Sequence, residues 1–300
     1  MHNFAISASG LRVSFGDRTV LDGVDLEVPS GTVFALLGAE GSGKTTVIRI
    51  LSGVTGADGG LVRITGEHVG RRSPLDDSLT GEDNLLAVAR RRGLDHAEAA
   101  RCAAGLLGRL GLTEASGTAS GMPVAAYSGG MRHRLGIATA LVGSPEVVLL
   151  DEPTGGLDPS GRRAVRRVLR DLAAEGVTVF LTTRHPRDAG ELADRVAVLS
   201  QGRIVAEGTP RELGRLASCG HAHLRFADAE ELEWAVRVLG GVPGDDEAFT
   251  LRVPNDGSVG SLRALLDRID HQLLAVDGLS VHAPDPDDVF LTLTARPVTG

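Results

Sequence analysis

Three hundred residues suffice for one large domain and a small appendage, and 42% hydrophobic with 23% charged residues is the composition of a packed globular protein, not a disordered one. A formal net charge of −8 argues against nucleic acid as a partner, because binding a polyanion needs a basic face. No apolar run reaches the roughly 18 residues of a membrane span, and no basic-then-apolar stretch opens the chain, so a soluble, cytosolic protein is expected.

The elements read as follows in chain order. Ala5–Val13 and Val24–Val28 alternate at period two, as strands do. Thr32–Leu37 is an apolar run leading into a Gly-rich loop and then a helical pattern over Thr45–Leu51: strand, loop, helix. Leu61–Ile64 reads as a short strand, and Gly81–Gly111 as an Ala/Leu/Arg-rich helical stretch broken at Gly93. Val147–Leu150 is a buried strand ending in two carboxylates. Gly161–Ala174 is an amphipathic helix, Val177–Thr182 a strand, and Arg195–Ser200 with Arg203–Ala206 a hairpin about Gln201-Gly202. Strands alternating with helices predict a parallel α/β core, interrupted by a helical lobe over about 81–140.

Ala217–Gly220 marks a boundary. Beyond it the pattern predicts strand (His223–Phe226), helix (Ala229–Leu239), strand (Phe249–Val253), helix (Val259–Ile269), strand (Leu279–His282) and helix (Asp287–Thr294), a small α+β module of the ferredoxin-like kind. The expected domains are 1–215 and 222–300. Cys102 and Cys219 are isolated and form no metal or disulfide pattern. His221 and His223 share one face of a short strand and are expected to face solvent.

The strongest motif is Gly38-Ala39-Glu40-Gly41-Ser42-Gly43-Lys44-Thr45-Thr46, which fits G-x-x-x-x-G-K-[ST] between a strand and a helix. Its glycines let backbone N–H groups turn inward, and the helix N-terminus adds partial positive charge, so together they bind a polyphosphate. Lys44 would reach the β- and γ-oxygens of that polyphosphate and Thr45 would give a hydroxyl to Mg²⁺. Lys44 is the only lysine among 31 basic residues: the chain uses Arg except where a compact ammonium is required. Glu40 is unusual in an anion cradle and is expected to point to solvent. Asp151 and Glu152 arrive at the carboxyl end of a buried strand, where α/β sheets bind ligands; Asp151 would orient Mg²⁺ and Glu152 activate the attacking water.

Tyr127-Ser128-Gly129-Gly130-Met131, opening a basic helix about twenty residues before the acidic pair, resembles the signature motif of ABC ATPases. In that family Ser128, Gly129 and Gly130 would close over the γ-phosphate held by a second ATP-binding subunit, with a helix N-terminus again facing an anion. Thr154-Gly155-Gly156-Leu157-Asp158 resembles the family's subunit-contact loop, with Asp158 touching the partner. Phe15 matches the aromatic position that stacks on adenine; the alternative is a core Phe. The tail Asp285–Thr294 resembles the end of the daunorubicin-resistance type of ABC ATPase. The resemblance implies a P-loop NTPase fold of the ABC type and an ATPase that powers export of drugs or lipophilic products. It further implies a separate transmembrane permease, a second ATP-binding subunit, most simply an identical copy, and a place on the inner face of the cell membrane.

Two positions depart from the family. No Gln lies between the loop and the signature, where the family places one beside Mg²⁺ and water; Arg71 falls near that place. Where the family reads Thr-Thr-His, with the His on the γ-phosphate, this chain reads Thr182-Thr183-Arg184-His185, so Arg184 holds the position and His185 lies one residue later. Either residue could serve, and two readings stay open: a hydrolysing subunit, or a hydrolysis-impaired regulatory subunit that binds MgATP.

Overall fold

The computed structural model describes residues 4–66, 68–69, 74–113, 121–217, 220–243, 249–255, 258–282, 289–290 and 294. Arg71, Cys219 and most of the Asp285–Thr294 tail lie outside them. The chain divides into two compact units, Met1–Glu207 and Gly208–Gly300.

In the first unit, β1 (Phe4–Phe15) and β2 (Arg18–Pro29) form a long hairpin, and β4 (Gly59–Ile64) pairs with the other edge of β1, giving an antiparallel sheet in the order β2-β1-β4. A second sheet has the order β5-β6-β7-β3-β8-β9. It is built from β3 (Val33–Leu37), β5 (His68–Val69), β6 (Val147–Asp151), β7 (Thr178–Thr183), β8 (Arg195–Ser200) and β9 (Arg203–Gly208). The pairs β5–β6, β6–β7, β7–β3 and β3–β8 are parallel. Strands β3 and β7 are buried along their whole length, which is why β3 and the Val179–Leu181 centre of β7 run apolar without alternation: helices or a second layer cover both faces. At the turn between β8 and β9, Gln201 and Gly202 take φ values of 50° and 78°, the left-handed pair that a tight hairpin requires.

One core joins the two sheets. Leu21, Val24, Leu26 and Val28 from the hairpin meet Val47, Ile48 and Leu51 of α1 (Lys44–Leu51) and Phe34, Leu149, Phe180 and Leu199 of the parallel sheet. The expectation of a parallel α/β core holds, and the first two predicted strands belong to a separate antiparallel sheet packed against it. The helical stretch divides into α2 (Gly81–Arg91) and α3 (His96–Arg109), because Gly93 turns at φ 79° and Asp95 starts a new helix with a capping box closed by Glu98. Helix α4 (Gly129–Leu141) follows, then α5 (Pro159–Ala174) and α6 (Pro186–Leu192) between the later strands.

The second unit begins with α7 (Pro210–Ala217). It continues through β10 (His221–Arg225), α8 (Ala229–Leu239), β11 (Val242–Pro243), β12 (Thr250–Pro254), α9 (Val259–His271) and β13 (Gly278–His282). Its sheet is antiparallel in the order β11-β12-β10-β13, the split βαββαβ arrangement of ferredoxin-like folds. Strand β11, two residues long, is absent from the sequence-based expectation. A separate core of Leu224, Phe226, Ala235, Leu251, Leu265 and Ile269 holds it. His221 and His223 are partly exposed on the face of β10 opposite the core residues Ala222 and Leu224, with ring centroids 4.7 Å apart. Among the described residues no helix is long and apolar enough to cross a membrane.

Phe34 and Phe180, both fully buried, stack with centroids 5.8 Å apart and planes 10° from parallel at the centre of the parallel sheet. Phe180→Ala is expected to cost about 3–5 kcal/mol through lost burial and a residual cavity. Urea denaturation would show this as a lowered midpoint with an unchanged slope.

Candidate functional site

The loop Gly38–Thr46 connects the C-terminal end of β3 to α1. Its backbone depends on glycine at two places. Gly43 sits at φ 108°, and a Cβ there would lie 2.7 Å from Leu21 Cδ2 in the packed core. A Cβ on Gly38 would lie 2.5 Å from Ser42 Oγ and 2.6 Å from the Leu199 carbonyl oxygen, so no larger residue fits without moving backbone. Gly43 offers no side-chain cap to α1, which leaves the first N–H groups of the helix open toward the loop.

Lys44 folds into this loop. Its Nζ donates to the carbonyl oxygens of Gly38 at 2.9 Å and Ala39 at 2.8 Å. Burial holds its pKa below the usual lysine value, while the carboxylates of Glu152 and Asp151 oppose that fall. Ser42 Oγ is buried without a hydrogen-bond partner, a polar group whose cost is met only when something polar arrives. Gly41, Gly43, Lys44, Thr45 and Thr46 line a cavity of about 250 Å³ together with Arg18 and Val20 of β2. Sequence reasoning missed those last two; their only signal was their place just beyond the hairpin turn that carries Phe15. Phe15 is 57% exposed, so it is not a core residue.

The acidic pair stands opposite. Thr45 Oγ1 donates to Asp151 Oδ2 at 3.0 Å, and Thr182 Oγ1 donates to Asp151 Oδ1 at 2.5 Å. Thr182 was not anticipated either: its hydroxyl also accepts the Glu152 N–H at 3.2 Å. Glu152 adopts φ 44°, a left-handed conformation that a non-glycine residue holds only when its surroundings impose it. Arg184, at the end of β7, reaches toward both acids of the loop mouth. Its Nε is 3.8 Å from Glu152 Oε2, and its Nη1 is 4.0 Å from Glu40 Oε2. Glu40 is 91% exposed. His185 lies at the start of α6 with an exposed side chain, its N–H bonded to Thr183 Oγ1 at 3.0 Å.

Ser128 caps α4, its hydroxyl accepting the Met131 N–H at 3.2 Å, with Gly129 opening the helix. The helix is tied to the acidic strand through His133, whose Nε2 lies 2.9 Å from the Pro153 carbonyl oxygen. Asp158 caps α5, accepting the Gly161 N–H at 3.1 Å and the Ser160 hydroxyl at 2.6 Å. The chain thus brings the loop, Asp151, Glu152, Arg184 and Glu40 together, whereas Ser128–Gly130 and Asp158 form a second group at two helix N-termini.

A glycine-lined cradle for polyphosphate, facing carboxylates at the carboxyl ends of a parallel sheet, defines a P-loop nucleotide-binding protein. The ABC transporter family model matches residues 21–155. The chain is 37% identical over 312 residues to the daunorubicin/doxorubicin resistance ATP-binding protein DrrA of Streptomyces peucetius, covering 98% of this chain and 93% of that protein. It is 34% identical over 314 residues to the Nod factor export ATP-binding protein I of Rhizobium sp. (strain N33), covering 99% of each. Among solved structures, an ATP-binding subunit of an ABC transporter matches with a TM-score of 0.62 at 26% identity, over 71% of this chain and 92% of that one. The chain belongs to the ABC transporter family, among its ATP-binding proteins.

The Asp158 cap carries a pH signature. Bonds from Ser160 and Gly161 hold the Asp158 carboxyl below its ordinary value. A depressed folded pKa means that the cap stabilises fully above the ordinary carboxylate range and loses that contribution as pH falls through the folded value. Asp158→Ala is therefore expected to lower the melting temperature near neutral pH. The gap from the parent protein should close as thermal scans move into strongly acidic buffer.

Proposed function

We propose that this protein is the ATP-hydrolysing subunit of an ABC exporter for drugs or other lipophilic products. It works on the inner face of the cell membrane with a separate transmembrane permease and a second copy of itself. The observation that carries the reading is the bond between Thr45 Oγ1 and Asp151 Oδ2 at 3.0 Å, which joins the phosphate loop to the acidic strand end. A hydroxyl and a carboxylate on one locus form a hard-oxygen donor set suited to Mg²⁺. The buried, unpartnered Ser42 Oγ beside them fits a polar occupant of the loop. Relatives named for daunorubicin resistance and Nod factor export, aligned over nearly the whole chain, support the exporter class.

Each residue then has a role. Backbone N–H groups of Gly38–Thr46 and the bare N-terminus of α1 hold the phosphates, and Lys44 leaves its two loop carbonyls for phosphate oxygens. Thr45 and Asp151 are the residues that would hold Mg²⁺, which would supply charge neutralisation at the phosphates. Glu152, aimed by its fixed backbone, takes the proton of the attacking water. Arg184 and His185 stand where the γ-phosphate end of the nucleotide is read, and Phe15 offers an exposed ring to the adenine. Ser128, Gly129 and Gly130 present the N-terminus of α4 to the nucleotide of the second copy, and Asp158 lies at the contact between copies.

A second reading has its own observation. The guanidinium of Arg184, 3.8 Å from Glu152 Oε2, competes for the carboxylate that should act on water. A regulatory subunit that binds MgATP and turns it over slowly would show that competition.

Lys44→Ala is expected to weaken MgATP binding by about ten- to a hundredfold, the loss of a charged hydrogen-bond donor. Glu152→Gln should retain binding while ATP turnover falls by about 10²–10⁴. Parent turnover no higher than that of Glu152→Gln would leave the regulatory reading.

A further inference from the structure

Glu40 is out of place in its loop. It follows Ala39, whose carbonyl holds Lys44 Nζ at 2.8 Å, and a carboxylate at the mouth of a polyphosphate cradle repels what the cradle is built to hold. The structure supplies the compensating charge from a distant part of the chain. Arg184 places Nη1 4.0 Å from Glu40 Oε2 and Nε 3.8 Å from Glu152 Oε2. Both separations exceed hydrogen-bond contact, so the planar fork is drawn toward two carboxylates and closes on neither. The Lys44 ammonium feels the charges of Glu152, Asp151, Arg184 and Glu40 together, which puts two cations and three carboxylates around one loop. Without Arg184 the acids would outnumber the cations by two, and without Glu40 the two signs would balance.

We propose that Glu40 and Arg184 act as one charge-compensated pair across the loop mouth, in which Arg184 cancels the repulsion that Glu40 exerts on an incoming nucleoside polyphosphate. This rests on the nucleotide-binding reading above. Arg184 is thereby a positioning residue for the ligand's negative end, and its contribution is conditional on Glu40. Glu40 is tolerated in the loop because the residue that follows β7 is an arginine. The effect scales with ligand charge, so MgATP feels it more than MgADP, which carries one phosphoryl group fewer.

A double-mutant cycle on the full-length protein tests this, with equilibrium binding of MgATP and MgADP as the readout. Arg184→Gln should weaken MgATP about three- to tenfold, as expected for one unit charge at a partly exposed site beside a polyanion, and weaken MgADP less. Adding Glu40→Gln to that variant should restore MgATP affinity to within about twofold of the parent. A folding lesion at Arg184 would not be repaired by removing a surface acid 4.0 Å away. The coupling should also shrink at high salt. Unchanged affinity in Arg184→Gln, equal losses for both nucleotides, or a double variant as weak as Arg184→Gln alone would each overturn the pair. Lys44→Ala in parallel separates the failures. Loss of binding in Lys44→Ala beside an unrestored double variant removes the pair alone, whereas a parent without MgATP affinity removes the nucleotide reading and the pair with it.

Discussion

The site depends on how Asp151 is held. Its two carboxylate oxygens take hydroxyl protons from residues far apart in sequence, Thr45 on α1 at 3.0 Å and Thr182 on β7 at 2.5 Å. Hydrogen bonds to an ionised acceptor are shorter and stronger than neutral ones, so this carboxylate pins a helix and two strands at one point. Thr182 then accepts the Glu152 N–H through the same oxygen, which fixes the next acid in a backbone conformation it would not otherwise keep. The neighbouring positions of β3, β6 and β7 in the sheet are what put α1 and these two strand ends within reach of one another.

That arrangement explains what could and could not be read from the sequence. The loop Gly38–Thr46 and the pair Asp151-Glu152 were legible because their chemistry is local: glycines at fixed offsets, one lysine, and acids after an apolar run. Thr182 was not, since a threonine in a strand gives no sign that a carboxylate from the adjacent strand lies beside it. Arg18 and Val20 escaped for a similar reason. They reach the cavity only because the hairpin packs over α1, a contact about twenty-five residues distant in sequence and invisible to periodicity. The division of the early strands into their own antiparallel sheet was likewise hidden, because alternation predicts strands and not their partners. Strand β11 was missed because two residues carry no pattern.

The preference for arginine also has a structural account. Arg134 donates to the Leu110 and Gly111 carbonyl oxygens at 2.7 and 3.0 Å, closing the open C-terminal end of α3, and its Nε lies 3.4 Å from the Gly130 carbonyl oxygen. Arg132 spans the Val124 carbonyl oxygen and Asp77, and Arg166 bridges Asp188 and Glu191. Each of these joins two acceptors at once, which a planar fork does and a point ammonium does not. Lys44 faces the opposite demand. Inside a loop closed by Gly38 and Ala39, a guanidinium would be too wide, and a compact head that can exchange carbonyls for another acceptor is what fits.

The same reasoning bears on the segment between Glu152 and Asp158. Its start is strained, yet both sides are fastened. His133 reaches the Pro153 carbonyl oxygen from α4, and the buried Thr154 hydroxyl bonds Asp188 Oδ2 at 2.6 Å, itself paired with Arg166 of α5. Leu157 is buried beside Gly130, where a Cβ would lie 3.6 Å from Leu157 Cδ2, and Asp158 ends the segment by capping α5. A left-handed non-glycine residue costs on the order of 1–3 kcal/mol and persists only where its surroundings over-determine it. Here the determinants come from α4, α5 and α6. A continuous run of packed and hydrogen-bonded residues thus joins the serine-glycine helix tip to the acid that follows β6.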